Sequence, residues 1–292
     1  VRGLLITHPH PNLLPSREKG LPCNNDNMEN WEMNKSIVVK IGGATFGKHD
    51  PILEDIVALQ KNGIQVVVIH GGGNLVTEWL KKQGIKTSFF RGERVTDRPT
   101  LDMVAAVLGG LVNKQIVGTI NSLGGRAVGI SGVDGALVQS NIGNKELGYV
   151  GSVKNVDPTL LEALLKAGFI PVVSPISYYA FDRPPGAPVM LNINGDPLAG
   201  EIAAAIKAEK LIFLTDVPGV LDKNGKLIPK LNIKQTKELL DSGVAAGGMI
   251  PKLNGCLKAL EVGTTACIID GREPGVLTKA MDNNITGTTI QP

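Results

Sequence analysis

Two stretches of this sequence set glycine at the end of an apolar, β-branched run. Val38-Val39-Lys40 leads into Ile41-Gly42-Gly43, and Val66-Val67-Val68-Ile69-His70 leads into Gly71-Gly72-Gly73. Glycine has no Cβ, so the amides of such a loop can approach an anion closely, and a helix opening just beyond adds the positive end of its dipole. Lys40 supplies a compact full charge where two anions would have to be brought together. The chemistry served by that combination is phosphoryl transfer. A plain βα turn accounts equally well for Gly42-Gly43. Three adjacent glycines at 71–73 cost conformational entropy that a two-residue turn does not demand, which favours a ligand cradle there. His70 is either a packed, hydrogen-bonded strand end or a base, and an attacking carboxylate would need no base.

Four further stretches carry candidate groups. Arg91-Gly92-Glu93-Arg94-Val95-Thr96-Asp97 sets arginines in a loop, where a guanidinium can grip a carboxylate through two bonds or simply be solvated. Leu191-Asn192-Ile193-Asn194-Gly195-Asp196 alternates so that Asn192, Asn194 and Asp196 share one side, with Asp196 opening a helix. Capping alone would explain Asp196 but not the two amides beside it. Leu214-Thr215-Asp216-Val217-Pro218-Gly219-Val220-Leu221 ends an apolar strand in a turn, a usual place for nucleotide contacts at the carboxyl edge of a parallel sheet. Gly247-Gly248-Met249-Ile250-Pro251-Lys252 offers a second lysine after glycines. Two familiar phosphate motifs are excluded. Gly42-x-x-x-x-Gly47-Lys48 has His49 where a P-loop needs Ser or Thr, and no strand runs into a full GxGxxG followed by an acidic residue.

The elements that must position these groups alternate. Strands are expected near 36–40, 64–70, 126–131, 169–175, 210–216 and 266–271. Asp50-Pro51, Asp157-Pro158 and Asp196-Pro197 mark helix starts, each with a capping side chain before a proline. Ile52, Ile56 and Leu59 form one helical stripe ended by Gly63; Leu161, Leu164 and Leu165 form another ended by Gly168. The order is α/β, with helices covering a mostly parallel open sheet. Tyr178 to Pro188 breaks the alternation as a hairpin or a lobe boundary.

The chain has 292 residues, 42% of them apolar, which is enough for a substantial core. With 30 Lys+Arg against 27 Asp+Glu, interspersed, the formal charge is +3, and nucleic acid is not indicated. Cys23, Cys256 and Cys267 show no CxxC spacing, which points to a reducing cytoplasm. No apolar run approaches the roughly 18 residues that span a bilayer, so no membrane is expected. Residues 1–33 lack periodicity and are expected to be a disordered or mis-assigned extension, with Met28 and Met33 before the first strand; His8 and His10 are assigned nothing.

From Lys40 to Thr288 these stretches, in order, resemble the amino acid kinase family. The carrying motifs are Arg94-Val95-Thr96-Asp97, Asn192-x-Asn194-x-Asp196, Leu214-Thr215-Asp216-Val217-x-Gly219-Val220 and Gly248-Met249-x-x-Lys252. The resemblance implies a three-layer αβα sandwich of the carbamate kinase-like type. It implies an N-lobe (34–190) for substrate binding and dimerisation and a C-lobe (191–292) for ATP. It is strongest to members that phosphorylate the side-chain carboxylate of N-acetyl-L-glutamate in arginine biosynthesis. Members acting on carrier-linked α-aminoadipate in lysine biosynthesis, and a nonenzymatic sensor of the same fold, are the alternatives. By this resemblance Lys40 and Lys252 flank the transferring group and Asp196 holds both. Gly43 and Gly72 amides meet phosphate, while Gly71, Gly72, Arg94 and Asn192 meet the acceptor. Thr215, Asp216, Val217, Pro218, Gly219 and Val220 meet ATP, whose phosphates carry Mg²⁺. Glu93 departs from the pattern, standing where an apolar residue commonly precedes the motif's arginine. The N-terminal helix of hexameric, arginine-inhibited members and their C-terminal His and Glu signature are not matched. A homodimer insensitive to arginine is therefore expected, with a PII-type signalling protein as a conceivable partner.

Overall fold

The β-branched runs become the centre of one sheet. The computed structural model describes residues 36–42, 51–282 and 285–292. The expectations for residues 1–33, for Gly43, for Gly47 to His49 and for the Asp50 cap lie outside the described residues.

The first half contains β1 (Ser36–Ile41), α1 (Pro51–Lys61), β2 (Gln65–His70), α2 (Gly73–Lys82), β3 (Phe89–Phe90) and β4 (Glu93–Arg94). One continuous helical stretch follows, made of α3 (Arg98–Val104), a π-helical segment (Ala105–Val112) and α4 (Asn113–Ser122). Next come β5 (Ala127–Gly132), β6 (Val138–Ile142), β7 (Gly151–Val156), α5 (Thr159–Lys166), β8 (Ile170–Tyr179) and β9 (Met190–Asn192). The rest is α6 (Gly195–Ala205), β10 (Lys210–Thr215), β11 (Lys230–Asn232), α7 (Ile233–Asp241), α8 (Met249–Leu260), β12 (Thr265–Asp270), α9 (Val276–Met281) and β13 (Gly287–Gln291).

The main sheet runs β11-β13-β12-β10-β1-β2-β8-β6-β7, with β5 and β9 also paired to β8, and β3–β4 forms a separate two-stranded ribbon. Its central strands β12, β10, β1, β2 and β8 are mutually parallel. Parallel strands buried on both faces need apolar residues at nearly every position, which is why β1, β2 and β10 read as continuous runs rather than alternating ones. Ile37, Val39 and Ile41 face a core layer with Ile52, Ile56, Val112 and Ile116; Val38, Val67 and Phe213 face a second layer with Leu161, Leu198, Ile202 and Leu253. Helices thus cover both faces, and the chain is a three-layer αβα sandwich.

The helix punctuation behaves as its chemistry requires. Gly63 and Gly168 adopt left-handed φ values of 81° and 76° just past α1 and α5. The Asp157 carboxylate accepts from Thr159 N at 3.0 Å just ahead of α5, but the cap position itself is Pro158, so the helix lacks the side-chain cap expected from Asp157-Pro158. The strand expected near 169–175 extends to Tyr179; the buried Ser177 interrupts the apolar pattern of its last residues. Tyr178 to Pro188 proves to be the turn of a hairpin, with Tyr178 opposite Met190 in the antiparallel β8–β9 pair. By length and composition the helix Arg98–Ser122 could cross a bilayer; Asp102, Asn113 and Lys114 hide this in a run-based reading. Here Val104, Val107, Leu108, Val112, Ile116 and Ile120 pack into the core.

α6 and α8 cross at glycine. A Cβ on Gly255 would stand 2.6 Å from the Asp196 carbonyl and 3.1 Å from Phe213 Cζ, so only glycine lets the two backbones approach this closely. Gly255→Ala is expected to destabilise the fold by about 1–3 kcal/mol, read as a lower denaturant midpoint, and to lower turnover with it, since α6 and α8 each carry a candidate site residue. Unchanged midpoint and turnover would contradict the crossing.

Candidate active site

β1 ends in Lys40-Ile41, α6 opens with Gly195-Asp196, and α8 carries Lys252 in its first turn. The three side chains meet. Lys40 Nζ lies 2.6 Å from Asp196 Oδ1, and Lys252 Nζ lies 2.8 Å from Asp196 Oδ2. Lys252 Nζ also donates to Gly248 O at 3.3 Å. The Asp196 side chain is 7% exposed, so its charge depends on the two ammonium groups for compensation. Burial pushes its pKa up, but the charges of Lys40 and Lys252 outweigh this and hold it below the ordinary carboxylate value.

Asp196 is not the cap of α6, contrary to the expectation from Asp196-Pro197. Asn194 is, its Oδ1 accepting from Asp196 N at 3.0 Å. The physical reason is competition: the carboxylate is claimed by two cations, so a neutral amide takes over the helix end. Asn194 Nδ2 reaches Glu93 Oε1 at 3.4 Å.

Beside the lysines opens a cavity of about 280 Å³, lined by Lys40, the loop Gly71 to Gly73, Glu93, Arg94, Asn192 and Asn194, with Val76, Leu108 and Pro175 as apolar wall. Such a volume suits a small metabolite. Gly71 contributes surface rather than a free amide, because its N–H donates to Ile41 O at 3.0 Å and its carbonyl faces His70 Nδ1 at 2.9 Å. Gly72 has φ 138°, and a Cβ there would stand 2.7 Å from Leu108 Cδ2. The positive φ calls for glycine, and a Cβ would in addition have to displace the end of the Leu108 side chain.

Arg94 is built into the wall. One terminal nitrogen donates to Gly73 O at 2.9 Å and to Thr77 Oγ1 at 2.8 Å, and the guanidinium lies 4.9 Å from the Phe89 ring centre. Nη1 is buried and has no partner among the described residues. A buried N–H without an acceptor is costly, and in a cavity wall it marks where an anionic ligand belongs. Burial lowers the Arg94 pKa, without removing its charge. Asn192 Nδ2 is held by Thr96 Oγ1 at 3.1 Å. Glu93 is the one carboxylate among the lining residues, whose cations are Lys40 and Arg94. Thr77 and Phe89, which orient Arg94, had no signal in the sequence, since neither belongs to a motif.

Thr215 to Val220 do not line this cavity. They form the turn at the carboxyl edge of β10, which lies beside β1 with Ile41 opposite Leu214. Thr215 Oγ1 closes the turn by donating to Val217 O at 2.7 Å. Asp216, Val217 and Pro218 are exposed, whereas Gly219 and Val220 are buried and Val220 N donates to Thr288 Oγ1 at 2.8 Å. The first three are free to meet a ligand. The last two anchor the turn to β13. Among the described residues no three His, Cys, Asp or Glu converge as a metal cage.

Comparison with known proteins fits this geometry. Residues 35–270 match the amino acid kinase family. A protein of Dehalococcoides mccartyi named acetylglutamate kinase is 50% identical over 257 residues, covering 88% of this chain and 94% of that protein. The crystal structure of a Streptococcus mutans UA159 protein superposes with a TM-score of 0.74 at 30% identity, covering 89% of this chain and 99% of that one. Carbamate kinase from Giardia shares the fold at a TM-score of 0.62 and 17% identity, over 89% of this chain and 99% of the other.

The charge arrangement sets an acid limit on stability. Because the folded pKa of Asp196 lies below its unfolded value, its contribution is present above about pH 4 and is lost as pH falls through the lower, folded value. Asp196→Asn is expected to cost about 3 kcal/mol at neutral pH, and the loss should shrink on acidification. Denaturant midpoints measured from about pH 3 to 7 check this; a loss independent of pH would contradict it.

Proposed function

The chain belongs to the amino acid kinase family, and we propose that it transfers the γ-phosphoryl group of ATP to the side-chain carboxylate of N-acetyl-L-glutamate. The product is N-acetyl-L-glutamyl 5-phosphate, an acyl phosphate of arginine biosynthesis. The observation that carries the reading is the bridge of Lys40 and Lys252 by one buried Asp196, with Lys40 also lining a cavity whose wall holds an unpartnered guanidinium nitrogen.

In the proposed step a carboxylate oxygen of the acceptor attacks the γ-phosphorus, and the bond from that phosphorus to the ADP oxygen breaks. No proton has to move, so positioning and charge stabilisation are what the protein must supply. Arg94 Nη1 takes the acceptor's α-carboxylate through a charge-assisted hydrogen bond, the other terminal nitrogen being held by Gly73 O and Thr77 Oγ1. Asn192 sits against the same ligand. Gly72 N–H donates to phosphate, and Gly43 is proposed to do the same. Lys40 and Lys252 face the transferring group from two sides while Asp196 fixes the distance between them. ATP rests against the turn Thr215 to Val220, mainly through Asp216, Val217 and Pro218. Mg²⁺, carried on the ATP phosphates, would neutralise part of their charge.

The same proposal divides the compact unit Asn34–Pro292 functionally into an acceptor lobe at 34–190 and an ATP lobe at 191–292. It includes a homodimer, cytoplasmic placement, insensitivity to arginine and PII-type signalling protein as a candidate partner. The 50% identical relative favours acetylglutamate over carrier-linked aminoadipate as acceptor. Retention of both lysines and Asp196 favours turnover over sensing.

Trapping acyl phosphate with hydroxylamine is expected to give signal with N-acetyl-L-glutamate and none with glutamate, aspartate or carrier-linked aminoadipate. Lys252→Ala should abolish this signal while keeping ATP affinity within about tenfold. Wild-type protein that binds ATP yet turns over no acceptor would support the sensor instead. Millimolar arginine should leave the rate unchanged and light scattering should give a dimer; inhibition or a hexamer overturns that part.

A further inference from the structure

His70 ends β2 directly before the glycine loop and is fully buried. Each ring nitrogen has one partner: Nδ1 lies 2.9 Å from Gly71 O, and Nε2 lies 3.3 Å from Asn113 Nδ2. A carbonyl only accepts and an amide nitrogen only donates, so the ring carries its proton on Nδ1 and offers a lone pair at Nε2. Asn113 cannot be turned round, because Nδ2 also donates to Val172 O at 2.9 Å and Oδ1 accepts from Lys114 Nζ at 3.1 Å.

The carbonyl that His70 holds belongs to the same planar trans peptide as Gly72 N–H. In such a peptide the C=O and N–H point in opposite directions. A peptide flanked by two glycines can rotate at little steric cost, so one hydrogen bond of about 1 kcal/mol is enough to choose its orientation. With Gly71 O turned toward the imidazole, Gly72 N–H faces away from it, and no acceptor among the described residues takes that N–H. Gly71 and Gly72 line the cavity beside Lys40.

We propose that His70 is a positioning residue, whose Nδ1–H locks the Gly71–Gly72 peptide so that Gly72 N–H points into the cavity as a donor to the transferring phosphoryl group. The proposal rests on the kinase reading above. A role as base is incompatible with this geometry, since both nitrogens are engaged and the ring has no access to solvent. Burial, with the nearby Lys40 charge, also outweighs the bond to Gly71 and lowers the ring's pKa to about 4, so the imidazole is neutral and adds no charge beside Lys40.

Two substitutions separate the nitrogens. The amide nitrogen of His70→Asn stands where Nδ1 stood, and the amide of His70→Gln reaches where Nε2 stood. His70→Asn keeps the donor to Gly71 O, whereas His70→Gln keeps only the contact with Asn113. In acyl-phosphate assays kcat of His70→Gln is expected to lie at least about tenfold below that of His70→Asn. The two should have acceptor KM values within about threefold of each other. Equal kcat in the two variants, whether both high or both low, overturns the proposal. A second measurement does not depend on turnover or on the variants folding. Nitrogen-15 NMR of the wild-type imidazole should show the Nδ1–H tautomer, unchanged between about pH 6 and 8. An Nε2–H tautomer, or a ring that titrates in this range, overturns it. Wild-type protein without acyl-phosphate turnover would instead count against the kinase reading, leaving the tautomer result to stand.

Discussion

One carboxylate holding two ammonium groups is the constraint from which the rest of the site follows. Asp196 can bridge Lys40 and Lys252 only if the end of β1, the first turn of α6 and the first turn of α8 arrive within hydrogen-bond reach of one another. The parallel pairing of β1 with β10 and β2 sets the first of these positions. The glycine crossing of α6 and α8 sets the other two, since any Cβ at Gly255 would push α8 off the Asp196 carbonyl. Core packing and catalytic geometry are therefore one problem. The hydrophobic layer of Leu198, Ile202, Phe213 and Leu253 aims the charged groups.

Electrostatic balance explains the neighbours. Two ammonium groups against one carboxylate leave a net positive charge, and Arg94 adds another at the cavity wall. Such a surplus is costly beside a low-dielectric core unless anions complete it. In the proposed function a dicarboxylate acceptor and the phosphates of ATP would supply that completion. The neutral, buried His70 fits the same logic, contributing an oriented dipole through the Gly71 carbonyl where a further full charge would be repelled by Lys40. Glu93 is the exception. Its side chain lines the same cavity and touches Asn194, the cap of the helix that carries Asp196.

Much of the fold was legible in the residues because local rules and tertiary demands agree. Continuous Val and Ile runs in β1, β2 and β10 are what doubly covered parallel strands require, and Gly63 and Gly168 stand where left-handed backbone ends a helix. The candidate site residues could be named from the sequence only through the ordered motifs of the family resemblance, because a glycine turn or a lysine taken alone has ordinary structural uses as well. Legibility failed where a polar residue does a packing job. Ser177 hid the last four residues of β8, and Asn113 and Lys114 hid the length of the helix Arg98–Ser122.

The sequence by itself determined the alternation of elements, the apolar faces and the chemical types available at strand ends, since these depend on neighbours a few residues apart. Only the tertiary structure decided which of those groups act together. Lys40, Asp196 and Lys252 are remote in sequence, and no local rule says that one carboxylate serves two lysines rather than its own helix end. The same holds for Arg94, fixed by Thr77 and Phe89, and for His70, whose tautomer is dictated by Asn113 on a distant helix. Hydrogen bonds and charge pairs act over about 3 Å in any direction, so their partners are chosen by the packed core, not by the order of the chain.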